Sequence, residues 1–256
     1  MNSRFRRASF CAAALACCAL SSTALAQQIV VGSGARLVMG SSAIDAGCRD
    51  VQIPGNFSIG SGSLQGVRDL TVSGQLDGGS GLISLSGDLA AAGSLNPQSG
   101  TVRIGDGCGS SETRIIGNHQ FNNLLVQTSA AHTLELPAGG TQSIASSLQL
   151  AGGAERLVMR SSSAGAVGFL DLPGGGTQLV SRVDAIDVGG APFGQFLAPQ
   201  APEFYDSIDR GNTPRFLGEE LALPIPTLSP GGLLALLLLV AGFAMTQLRT
   251  PNRGEH

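Results

Sequence analysis

The chain has 256 residues and a formal net charge of −3, from 15 arginines against 18 carboxylates, with no lysine and no tryptophan. Its central stretch is long enough for one sizeable core. The near-neutral balance, with no basic patch, excludes nucleic acid as a partner class.

Taken in order, the N-terminus comes first. Arg4, Arg6 and Arg7 precede an apolar stretch from Phe10 to Leu20, and Ala24-Leu25-Ala26 is a small-x-small site. A positive start, an apolar middle and a small-residue site define a secretory signal peptide, here residues 1–26, cut between Ala26 and Gln27. Two other export signals fit less well. Arg6-Arg7 is followed by Ala8-Ser9-Phe10, a poor twin-arginine match, and Cys17 lacks the branched residue that a lipobox carries three positions upstream.

Residues 27–218 form the predicted exported domain, and it reads as β-structure. Short runs with alternating apolar residues recur at 69–72, 82–85, 101–104, 123–126, 133–136 and 148–150. Period-two alternation puts the apolar side chains on one face of a strand, and Gly, Ser, Asn and Asp fill the gaps as turn formers. Two segments repeat. Leu136-Pro137-Ala138-Gly139-Gly140-Thr141-Gln142 returns as Leu172-Pro173-Gly174-Gly175-Gly176-Thr177-Gln178, and Arg36-Leu37-Val38-Met39 returns as Arg156-Leu157-Val158-Met159. Spaced repeats point to stacked coils. The predicted fold is therefore mainly β, a parallel β-helix or solenoid. An antiparallel β-sandwich is the alternative.

Chemistry-bearing residues are few. Cys11, Cys17 and Cys18 leave with the signal peptide, so Cys48 and Cys108 remain, and two cysteines in an oxidising compartment pair. A metal or redox pair is the other reading, but there is no Cys-x-x-Cys and no neighbouring histidine. His119 and His132 flank a predicted strand as ordinary exposed side chains. Gly78 to Leu85 approaches a calcium-binding nonapeptide, with Ile83 where that motif needs aspartate. Asp184, Asp187, Asp206 and Asp209 cluster late in the chain, as turn-solvating groups or as the acid-base or calcium groups of a carbohydrate-active β-helix. Phe193, Phe196, Phe204 and Tyr205 are expected to cap the open end of the core. No catalytic residue, metal site or cofactor is assigned.

The tail is the most informative part. Residues 219–232 are a linker holding Ile225-Pro226-Thr227-Leu228, and 233–248 are an uncharged, leucine-rich run followed by Arg249 and Arg253 in the tail 249–256. The uncharged stretch from Gly231 to Leu248 meets the lower limit of about 17 residues for a transmembrane helix. The prolines before it keep the motif extended, and the arginines after it favour a cytoplasmic tail.

This tail resembles the IPTL-CTERM sorting signal of Gram-negative bacteria, a relative of the PEP-CTERM signals, from Ile225 to about Arg253. Ile225, Pro226, Thr227 and Leu228 match its four defining positions, while Gly231 stands where tryptophan is usual. The resemblance implies export through the secretion translocon, an inner-membrane-anchored precursor, and processing by a membrane-embedded sorting protease. Gln120 to Val126 is similar to a strand of bacterial β-helical surface proteins, and residues 183–188 with 207–212 resemble the closing segment of such domains, with Phe216 as the nearest aromatic. The expectation is an exported envelope or surface protein with a structural or adhesive domain, in contact with extracellular polysaccharide or matrix. A polysaccharide lyase or hydrolase is the alternative.

Overall fold

The structure is a computed structural model that describes residues 28–218. The signal peptide with Ala24, Ala26 and Gln27, the motif Ile225 to Leu228, and the span 233–248 lie outside the described residues. Among the described residues no helix is long and apolar enough to cross a membrane.

The described chain winds into a parallel β-solenoid of about eight turns. Every strand ladder among these residues is parallel, which rules out the antiparallel sandwich. Each coil has three faces. Face three holds Arg36–Val38, Asn56–Ser58, Gln75–Asp77 and Ser94–Asn96, hydrogen-bonded in that order. Face one continues into Leu82–Leu85 and Thr101–Ile104, and face two into Leu89–Ala91 and Glu112–Ile116. The longer strands Ala43–Ile53 and Ser63–Val72 run along face one and bend onto face two, with register shifts at the bend. All six predicted strand segments lie within observed strands.

Inward side chains stack in columns because parallel strands in register place like positions above one another. One column is Leu64, Ile83, Val102, Leu124 and Leu148, and its neighbour is Val67, Leu85, Ile104, Val126, Leu150 and Val180. Nearly all of these side chains are fully buried, each contributing about 1.5–3 kcal/mol by leaving water. Ile83, which replaces the aspartate of the calcium motif, is one of them.

Tight corners set the coil length. Gly55, Gly74 and Gly93 form a column in which each amide plane sits against the one before. A Cβ on Gly74 would lie 2.1 Å from the Gly55 carbonyl oxygen, and one on Gly93 2.1 Å from that of Gly74. This keeps a constant step from Asn56 to Gln75 to Ser94. Later coils swell. On face one Thr101 pairs with Asn123, Asn123 with Ser147 and Ser147 with Thr177, each step longer than the last.

The two sequence repeats are therefore not one coil apart. Gln142 pairs with Leu170 on face three, whereas Gln178 pairs with Leu148 on face one. The repeated segment is a corner module: Gly140 N donates to Pro137 O in one copy, and Gly176 N to Pro173 O in the other. Likewise Arg36–Val38 lies on face three and Leu157–Ser161 on face two.

The capping expectation also changes. Phe193 and Phe204 project into solvent, and Phe196 lies beneath the Arg215 guanidinium. Tyr205 does pack against the core, but the last described coil closes mainly with Leu197, Ala198, Phe216 and Leu217, all 1% exposed or less. Phe216 bridges to Leu197.

Candidate functional site

Cys48 and Cys108 form a disulfide, with Cα atoms 5.2 Å apart and 60 residues between them in sequence. Cys48 sits at the bend between faces one and two. Cys108 sits on the short 3-10 turn Gly107–Gly109, in the loop that joins Thr101–Ile104 to Glu112–Ile116. That loop runs back along the corner: Cys108 Sγ lies 3.9 Å from Gly66 O, and Gly107 packs near Ser86. The bond thus ties together coils that are not adjacent. Both cysteines are in the left-handed region, with φ of 60° and 56°.

The acidic residues do not converge on an open cleft. Arg210 donates twice to Asp184, and Arg156 and Arg182 both pair with Asp206. Asp187 accepts from Asn212 and from Gly165 N, and the Asn212 bond holds its carboxyl below the usual range. Asp209 accepts from Gly211 N. A second ionic ribbon crosses face two. Arg68 pairs with Asp50 at 2.7 Å, Arg114 with Glu112 at 2.8 Å, and Arg160 with both Glu112 and Glu135. Hydrogen bonds from Arg68 and from Arg114 lower the carboxyls of Asp50 and Glu112 respectively. Among the described residues no group of three or more His, Cys, Asp or Glu side chains is placed to hold a metal ion.

His119 and His132 are buried, against the expectation of exposed side chains. His132 is 2% exposed, with Nδ1 3.2 Å from Ser110 O and Nε2 3.1 Å from Thr113 Oγ1. A carbonyl only accepts, so Nδ1 donates to Ser110 O, while Thr113 Oγ1, beside Nε2, also lies 3.1 Å from Ser86 O, to which it donates. Burial lowers its pKa from 6.5, against the pull of Ser110 O, Asp106 and Glu112. His119 Nε2 donates to Ile116 O, and burial lowers that pKa too.

Three concavities stand out among the described residues, one of them a shallow serine- and glycine-lined depression at Ser41, Ser61, Ser63 and Ser80. A cleft of about 200 Å³ on face three is lined by Arg36, Asn56, Phe57, Ser58, Gln75 and Asp77. Its carboxylate, Asp77, accepts from Gln98 Nε2 and Gly79 N. An apolar groove of about 470 Å³ runs between Leu179 and Phe204 near the last coil. Sequence reading missed the cleft, because its residues are spaced one coil apart and carry no local motif. It also missed the bridging amides of Gln142, which is buried, and Gln178, which is half-buried. Gln142 bonds His119 N and Gly117 O, and Gln178 bonds Ala198 N and Phe196 O.

No protein-family model, no curated protein and no solved structure matches the chain.

Proposed function

We propose that this chain is an exported cell-envelope or surface protein whose β-solenoid has a structural or adhesive role, delivered by an IPTL-type signal at Ile225 to Leu228. The observation that carries the reading is the Cys48–Cys108 disulfide across non-adjacent coils. Such a bond persists in oxidising compartments, where the signal peptide would deliver the domain. The precursor is anchored in the inner membrane by residues 233–248 until a membrane-embedded protease removes the tail. The mature form then resides at the surface or outer envelope, or is released.

A structural role is supported by where the charges go. The four late aspartates are engaged by arginine, asparagine or backbone amides. Carbohydrate hydrolysis in its common form needs two carboxylates flanking the scissile bond, and the face-three cleft is lined by one. Its polar lining fits contact with an extracellular polysaccharide or matrix rather than turnover of one.

The test is cell fractionation, with mass spectrometry of the mature termini, on an internally tagged chain and on a copy with Ile225, Pro226, Thr227 and Leu228 changed to alanine. The intact chain is expected to lose its tail and leave the inner membrane, and the variant to keep the tail and stay. An intact chain that retains residues 233–248 in the inner membrane would overturn the sorting reading.

A further inference from the structure

The two ends of the solenoid differ. The last described coil leaves Phe216 and Leu217 buried. At the first coil, Arg36–Val38 has a strand partner on one side alone among the described residues. Leu37 heads the inward column Leu37, Phe57, Leu76 and Leu95. It is 38% exposed, against 3% for Phe57 and 0% for Leu76. Ile29–Val30 covers face two one coil further out, so faces one and three of the first coil stay open.

The backbone of that edge is also unfilled. Ala35 O accepts from Asn56 N, and Met39 N donates to Ser58 O. Alternation along a strand then turns the N–H and C=O groups of Arg36 and Val38 to the open side. An open strand edge beside apolar side chains is a template for pairing with another chain.

We propose that mature copies of this chain pair N-terminal end to N-terminal end, through the open edge of Arg36–Val38. This rests on the export reading. With cleavage before Gln27, the chain begins two residues before Ile29–Val30, too few to lay a strand over faces one and three. The cover must come from another molecule, and the edge is complementary to itself. A two-fold axis beside Leu37 sets the two strands antiparallel, with Arg36 opposite Val38 of the second copy and Val38 opposite its Arg36. Those are the residues whose amides face outward, so both can form hydrogen-bonded pairs. Leu37 then meets Leu37 of the second copy, and the apolar column continues across the junction. The step made by Ile29–Val30 on face two lies over the partner's open face one, because the two-fold exchanges these faces. The same patch serves both copies, so this contact is isologous and closes as a dimer.

The experiment places a photo-cross-linking benzoylphenylalanine at Val38 in the full-length chain, expressed in a Gram-negative host. A matching copy carries it at Phe193, exposed near the other end. Adducts are sized and identified, and the mature N-terminus is sequenced from the same sample. The expected result is a Gln27 terminus with an adduct of twice the mature mass, containing this chain alone, from Val38 and not from Phe193. A Gln27 terminus with no adduct, or with an adduct to a different protein, overturns the pairing and leaves export standing. Retention of residues 1–26 defeats the export reading, and the pairing falls with it. A second variant, Val38→Pro, removes an outward N–H at a solvent-facing position. It is expected to abolish the homodimer adduct from a benzoylphenylalanine at Arg36; an undiminished adduct would also overturn the proposal.

Discussion

A glycine in a solenoid corner and a glycine in an open turn look alike in sequence, yet they differ in what a single methyl would meet. Gly74→Ala would drive Cβ to 2.1 Å from the Gly55 carbonyl oxygen, backbone that cannot move without shifting a coil. Overpacking of this kind costs about 1–3 kcal/mol. At Gly174 nothing lies within 4 Å, so Gly174→Ala should stay within about 0.5 kcal/mol of wild type. Urea unfolding midpoints compare the two directly. His132 makes a second prediction at this scale. Its folded pKa lies below the ordinary 6.5 because burial disfavours the charged ring. The unfolded chain therefore binds the proton first, and stability is full above 6.5 and falls as pH drops below it. The paired carboxyls of Asp50 and Glu112 add losses of the same sign at lower pH, below their ordinary 3.8 and 4.5. His132→Gln should make the fall between pH 7 and 5 shallower, with the buried His119 supplying what remains, and leave the acid limb in place.

Strands were legible because inward columns need an apolar residue at every second position, a pattern carried within four or five residues. Corners were legible as chemistry but not as position. The Leu-Pro-x-Gly-Gly-Thr-Gln module makes its turn from local bonds alone, from Gly140 to Pro137 and from Gly176 to Pro173, so it can serve any face. Its two copies therefore pointed correctly to stacked coils without fixing the face that each copy occupies. The bridging role of its glutamine was hidden for the same reason, since its partners His119 and Phe196 lie elsewhere in the chain. The cysteine pairing was legible by elimination, whereas its reach across the corner past Gly66 and Ser86 was not. At the level of elements this staple carries a prediction. Closing a loop of 60 residues stabilises by about 4 kcal/mol in the chain-entropy model. The double change Cys48→Ser and Cys108→Ser should lower unfolding free energy by about that amount, measured against the oxidised parent. An effect under about 1 kcal/mol would mean that the coils hold this corner without it.

On the scale of the whole molecule, coil length explains why no clean period ran through the sequence. Glycine corners hold the early coils to one step, and insertions lengthen the later ones from Thr101 to Thr177. The expanding half carries the late ion pairs around Asp184 and Asp206, and the regular half carries the polar cleft of Arg36, Asn56 and Gln75. Such a body is suited to presenting long in-register faces, the property that a surface protein uses. The most direct measurement is labelling of intact cells that carry the full chain with a small epitope at the exposed corner beside Gly174. Surface display predicts antibody labelling without permeabilisation, lost when Ile225 to Leu228 are changed to alanine. Labelling of the unaltered chain that appears only after the outer membrane is opened would place the solenoid inside the envelope and contradict the account.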